Sequence, residues 1–93
     1  MSFVVRIPGA LRELAGDRSD VRVELRAASV SEALNLLWDR CPGIRDRVVT
    51  ELGEVRPHVN IFVDGENIRD RDGLSTPVSD SAEIHILPAI SGG

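Results

Sequence analysis

One stretch of this chain carries a helical repeat long enough for a full helix, and it lies between segments that alternate with a period of two. Ser29-Val30-Ser31-Glu32 has the form of a capping box, in which the Ser29 hydroxyl accepts from the amide of Glu32 and Glu32 reaches back. Apolar residues follow at Val30, Ala33, Leu34, Leu37, Trp38 and Cys41, spacings of three and four that draw one stripe. Asn35, Asp39 and Arg40 fall on the wet side, and Pro42-Gly43 ends the helix. A helix with one apolar stripe must bury it against a partner layer, which here has to come from strands.

Strand signals are found on both sides. Phe3, Val5 and Ile7 alternate with Val4 and Arg6 up to Pro8, and Val21, Val23 and Leu25 alternate with Arg22 and Glu24. These two are expected to pair antiparallel, with Leu11 and Leu14 making a helical turn or loop contact between them. Val59, Ile61 and Val63 form a third strand, and Asp64-Gly65 gives a tight turn. Ile68 is placed in a short fourth strand. Glu83 to Leu87 makes the fifth, with Ile84 and Ile86 on one face and Pro88 ending the ladder. Ile44, Val48 and Leu52 suggest a short second helical turn, and Leu74 and Val78 are expected to pin the polar loop from Asp70 to Asp80. The order β-β-α-β-β-β predicts an α+β fold, a five-stranded mixed sheet with one main helix on one face. The opposite face stays open and carries Val4, Arg6, Arg22, Glu24, Asn60, Phe62, His85 and Leu87.

Composition narrows the function. At 93 residues the chain is one domain, with 42% apolar residues to fill a core and only 3% aromatics, so Val, Ile and Leu must fill it. The net charge is −4, and all 11 cations are arginine. That is no basic footprint for nucleic acid, and no side-chain amine is present. A single cysteine excludes a disulfide framework and a cysteine-based zinc site. No apolar run reaches 18 residues, so no membrane span is expected, and the N-terminal MSFVVRIPG lacks the form of a signal peptide. A cytoplasmic location follows as the expectation.

Conventional catalytic sets are missing. Two histidines and one cysteine give no supported triad, and neither a phosphate loop nor a dinucleotide fingerprint occurs. Asp70-Arg71-Asp72-Gly73 departs from a calcium loop, since Arg71 stands between the acids and the closing Glu is absent. Cys41 completes the helix stripe at the negative end of the helix dipole, a place that disfavours a thiolate, so a core role fits it better than a nucleophile. His85 shows no orienting partner in the sequence and is assigned to an interface rather than to acid–base work. Val4, Phe62 and Leu87 share the open face with Arg6 and His85, an apolar cluster with a charged rim suited to docking.

The sequence ends Pro88-Ala89-Ile90-Ser91-Gly92-Gly93. Two glycines lack Cβ atoms, so such an end fits a channel too narrow for other residues. Six residues beyond Leu87 span about 20 Å when extended. The chain is therefore expected to divide into a domain over 1–87 and an arm over 88–93.

Three segments carry a family likeness: Val59-Asn60-Ile61-Phe62-Val63-Asp64-Gly65, Leu74-Ser75-Thr76-Pro77-Val78, and Ile86-Leu87-Pro88-Ala89-Ile90-Ser91-Gly92-Gly93. Together with the topology they resemble the MoaD/ThiS family of ubiquitin-like β-grasp sulfur carriers, across essentially the whole chain. The ending is most similar to the CysO-type carrier of cysteine biosynthesis; Ile90-Ser91 stands where the small subunit of molybdopterin synthase has a Val-Ala-like pair.

The resemblance implies a β-grasp fold and a protein co-substrate without catalytic residues, metal or bound cofactor of its own. An E1-like (MoeB/ThiF-type) enzyme would spend ATP to adenylate the Gly93 carboxylate. A sulfur nucleophile would then convert it to a thiocarboxylate. The arm Pro88, Ala89, Ile90, Ser91, Gly92 and Gly93 would enter partner active sites, and Val4, Arg6, Phe62, His85 and Leu87 would dock. Expected acceptors are a cysteine synthase-like enzyme, a thiosugar synthase or the molybdopterin synthase large subunit. A C-terminal-processing metallopeptidase is a further partner, and nucleic acid and membrane are not expected. Three other readings stay open, a molybdopterin synthase small subunit, a ubiquitin-like protein modifier and a plain β-grasp interaction module. The lack of lysine argues against side-chain-linked chains of the protein with itself.

Overall fold

A computed structural model describes residues 2–88. Strands β1 (Phe3–Arg6), β2 (Asp20–Val23), β3 (Val59–Val63), β4 (Glu66–Asn67) and β5 (Ala82–Pro88) form one five-stranded sheet in the order β2-β1-β5-β3-β4. β1 pairs antiparallel with β2 and parallel with β5, while β3 runs antiparallel to both β5 and β4. The last strand thus lies at the centre of the sheet, between the first strand and the third. The sheet is mixed, as expected from the sequence.

Helix α1 (Val30–Arg40) lies across one face. The Ser29 hydroxyl accepts from the Glu32 amide at 3.3 Å, the first half of the expected capping box. Val30, Ala33, Leu34, Leu37 and Cys41 are buried, and Trp38 packs partly buried against them. Their partners are the inward residues of every long strand: Phe3 and Val5 of β1, Val21 and Val23 of β2, Val59 and Ile61 of β3, Ile84 and Ile86 of β5. Alternation works because successive side chains of a strand point to opposite faces. Phe3 is the one aromatic among the fully buried side chains, in keeping with an aliphatic core.

The loop after β4 is tied to the start of α1. The Val30 amide donates to the Thr76 carbonyl at 3.0 Å, and the Val78 amide donates to the Ala28 carbonyl at 3.2 Å. Thr76 is buried, and its hydroxyl accepts from the Asp72 amide. Val78 is buried and Leu74 packs against the core, so both pin the loop as predicted.

Three expectations are corrected. Leu25 is not in a strand: β2 ends at Val23, opposite Phe3 where β1 begins, and Leu25 is 50% exposed. Leu52 is 85% exposed: helix α2 (Arg45–Val48) stops early, Val49 bridges to Val55, and the Thr50 hydroxyl caps the turn by accepting from the Leu52 and Glu54 amides. Ile68 is buried but opens a short 3-10 turn (Ile68–Asp70), whose Arg69 amide donates to the Asn67 side chain. Leu11 and Leu14 fall in a 3-10 helix (Gly9–Ala15) that buries Leu11 and Ala15 and leaves Leu14 partly exposed. Among the described residues no helix is long and apolar enough to cross a membrane.

Candidate functional site: the open face of the sheet

The face away from α1 is built by the outward residues of β1, β5 and β3. Register places Arg22, Val4 and Glu83 in one cross-strand row. The next row is Asp20, Arg6, His85 and Phe62, and Leu87 lies opposite Asn60. All five residues predicted to dock, Val4, Arg6, Phe62, His85 and Leu87, therefore lie on this face. Leu87 is 44% exposed, while Val4, Arg6, Phe62 and His85 are half-buried among their neighbours. Arg22 and Glu24 are exposed farther out, toward the β2 edge.

A groove of about 480 Å³ crosses this face, lined by Phe62, Asp64, Gly65, Glu83, His85 and Leu87. Asp64 and Gly65 have φ of +48° and +89°, the pair of positive angles that a two-residue hairpin loop of type I′ requires. The Asp64 carboxylate accepts from the Glu83 amide at 2.9 Å, which holds the turn against β5.

The sequence marks Asp64 as a turn residue and Glu83 as the start of a strand, and neither as part of the docking face. Glu83 also supplies what His85 lacked there, an orienting partner: the His85 Nε2 donates to Glu83 Oε1 at 3.0 Å. Arg6 donates to the same oxygen at 3.3 Å and pairs with Asp20 at 2.7 Å. The signal was available, since Glu83 is two residues before His85 on one strand and so shares its face. Arg6 is consequently less a free docking cation than the brace of a charged cluster. Hydrogen bonding from Arg6, then from His85, holds the Glu83 carboxyl below the usual carboxylate range.

Asp80 is lowered likewise, chiefly because its side chain accepts from the Ser2 amide at 2.9 Å. Both carboxylates tie the N-terminal strand region to β5 or the turn before it. A carboxyl lowered on folding adds stability above its unfolded-state value and loses it as pH falls through its folded-state value. The melting temperature is therefore expected to fall on acidification below the ordinary carboxylate range. Glu83→Gln should flatten part of that fall, and added salt should flatten it too because the pairs are exposed. Superimposable pH–melting curves for Glu83→Gln and wild type would refute this linkage.

Among the described residues no group of three His, Cys, Asp or Glu side chains could hold a metal ion, and Cys41 is buried at the end of α1. The backbone of Pro88 sits in register opposite Val59. Ala89, Ile90, Ser91, Gly92 and Gly93, the rest of the predicted arm, lie outside the described residues.

A match to the ThiS family spans residues 5–93. The chain belongs to the ThiS family. Sulfur carrier protein CysO of Mycobacterium tuberculosis is 30% identical over 95 residues, covering 100% of both chains. Small archaeal modifier protein 3 of Haloferax volcanii is 29% identical over 93 residues, again covering 100% of both. A chain in the crystal structure of the Amycolatopsis orientalis BexX/CysO complex superposes with a TM-score of 0.87 at 34% identity, covering 98% of this chain and 99% of that one. The ThiS family member described here thus has the ubiquitin-like β-grasp and the CysO-like character that its sequence resembles, in a group of small sulfur carriers and ubiquitin-like modifiers.

Proposed function

We propose that this protein is a sulfur carrier whose Gly93 carboxylate is activated by an E1-like enzyme and leaves it as a thiocarboxylate. The observation that carries this reading is the course of β5. It passes through the centre of the open face at His85 and Leu87 and leads directly into the sequence Ala89-Ile90-Ser91-Gly92-Gly93. A partner that grips the face is thereby placed at the root of the diglycine arm.

In the chemistry proposed, a carboxylate oxygen of Gly93 attacks the α-phosphorus of ATP and pyrophosphate leaves. Hydrosulfide then adds to the acyl carbon and AMP leaves. A persulfide can take the same role if a thiol afterwards cleaves the acyl disulfide. The globular domain supplies no acid or base to either step. It contributes binding, and tethering raises the effective concentration of the reacting carbonyl in the partner's site. The acceptor pathway favoured by the CysO-type ending is cysteine biosynthesis, with a cysteine synthase-like enzyme receiving the sulfur and a metallopeptidase processing the product. Thiosugar synthase and the molybdopterin synthase large subunit are the alternative receivers.

A second reading, protein modification, draws support from relatives named as small archaeal modifiers. Intact-mass analysis of protein isolated from its own cells separates the two. An oxygen-to-sulfur exchange at the terminus is the expected result. Protein found only as the free acid, together with slowly migrating conjugates linked through Gly93, would overturn sulfur carriage in favour of tagging.

A further inference from the structure

The groove over the open face is charged at one end and apolar at the other. Asp64 and Glu83 stand at the turn end, Phe62 and His85 face each other in the middle, and Leu87 lies toward the arm. Each carboxylate has one oxygen already engaged. Asp64 Oδ1 accepts from the Glu83 amide, and Glu83 Oε1 accepts from Arg6 and His85. Among the described residues, Asp64 Oδ2 and Glu83 Oε2 have no hydrogen-bond partner. Arg6 lies on the β1 side of Glu83 and also holds Asp20, while the guanidinium of Arg69 is engaged by Asn60 and that of Arg71 by Glu66. The groove itself is thus lined by two anionic groups, the His85 ring and an apolar wall.

We infer that this groove receives an arginine side chain of the enzyme that binds the arm. This rests on the carrier reading above. An apolar occupant would strip water from two unpaired carboxylate oxygens, which is costly. A cation satisfies them. A guanidinium, being planar and forked, can donate to both carboxylates at once while its face rests on the Phe62 ring; an ammonium is a point charge without that fork. Four residues of β5 separate Glu83 from Leu87, about 13 Å at the strand rise. The partner's arginine therefore enters over the outward face of β5, roughly that distance upstream of Leu87. Gly65 is set by its turn: a Cβ there would meet nothing within 4 Å but would be strained at φ +89°.

Asp64→Asn is the clean variant. Asn tolerates the left-handed turn and keeps an oxygen for the Glu83 amide, so only the free oxygen is replaced, by an amino group. In pyrophosphate exchange with the cognate E1-like enzyme, Asp64→Asn is expected to raise the carrier's KM about tenfold with kcat nearly unchanged, the pattern of a lost docking contact. Asp64→Arg should raise it about a hundredfold. Wild-type KM values for both variants, with Phe62→Asp still impaired, would show an apolar occupant and overturn the inference while leaving the carrier reading intact.

Absence of any exchange with the wild-type protein would instead defeat the carrier reading. The groove is then judged by NMR titration with N-acetyl-arginine methylamide. Shifts at the Asp64 and Glu83 amides that vanish in Asp64→Asn/Glu83→Gln sustain a guanidinium site, and equal shifts in wild type and the double variant abolish it.

Discussion

Deleting Gly92 and Gly93 should reduce turnover with the activating enzyme by about a thousandfold or more and leave the melting temperature unchanged. Loss of two residues draws the terminal carboxylate back by about 7 Å. It also makes Ser91, with its Cβ and hydroxyl, the terminal residue in a channel that the diglycine suits. A misplacement of about 1 Å in a reacting group can already cost a hundredfold. Stability should not follow, because the buried hydrophobic residues among the described residues lie between Phe3 and Ile86. ATP-dependent pyrophosphate exchange and a thermal melt of the same preparation check both halves. Full turnover by the truncated protein would end the claim that the terminal carbonyl is the reacting group, and would support an interaction module instead.

Phe62→Asp should lower kcat/KM with the same enzyme about a hundredfold, with a melting temperature within a few degrees of wild type. Phe62 stands on β3 opposite His85, on the face away from α1. Its removal leaves no core cavity, and the new carboxylate stays in water in the free protein. The cost in strand preference is about 1 kcal/mol or less. On docking, the lost apolar area accounts for about 1.5–3 kcal/mol. Ile61, the preceding residue, is the contrast: it is buried under α1, and the same substitution there would unfold the domain rather than spare it. An unchanged kcat/KM for Phe62→Asp would remove the open face from the docking model.

The two substitutions differ in outcome because of a period-two pattern that was plain in the chain itself. Phe62 and Ile61 are both large and apolar, yet their places on opposite faces follow from Val59, Ile61 and Val63 being in phase. The same logic assigned Ile84 and Ile86 inward and His85 and Leu87 outward. It places Glu83 outward as well, but a carboxylate at the start of a strand looks like an ordinary solvated charge until Arg6 stands beside it. Arg6 is 77 positions away in sequence, so no local pattern could pair them. Asp64 was legible as a turn residue only, since its second role depends on the chain that packs across the turn.

What the linear order determined was therefore everything that depends on near neighbours. The Ser29 cap and the α1 stripe, the in–out alternation of each long strand, the Asp64-Gly65 reversal and the small-residue ending all arise from contacts or angles within a few residues. What only the folded chain decided was which strands lie side by side. β5, the last strand, inserts between β1 and β3, and this puts the arm's root at the middle of the sheet and brings Arg6, Phe62, Glu83 and His85 together. Pairing of distant strands depends on how one apolar face closes over one helix, a collective property of the core, whereas alternation and capping are settled by the geometry of a single residue and those beside it.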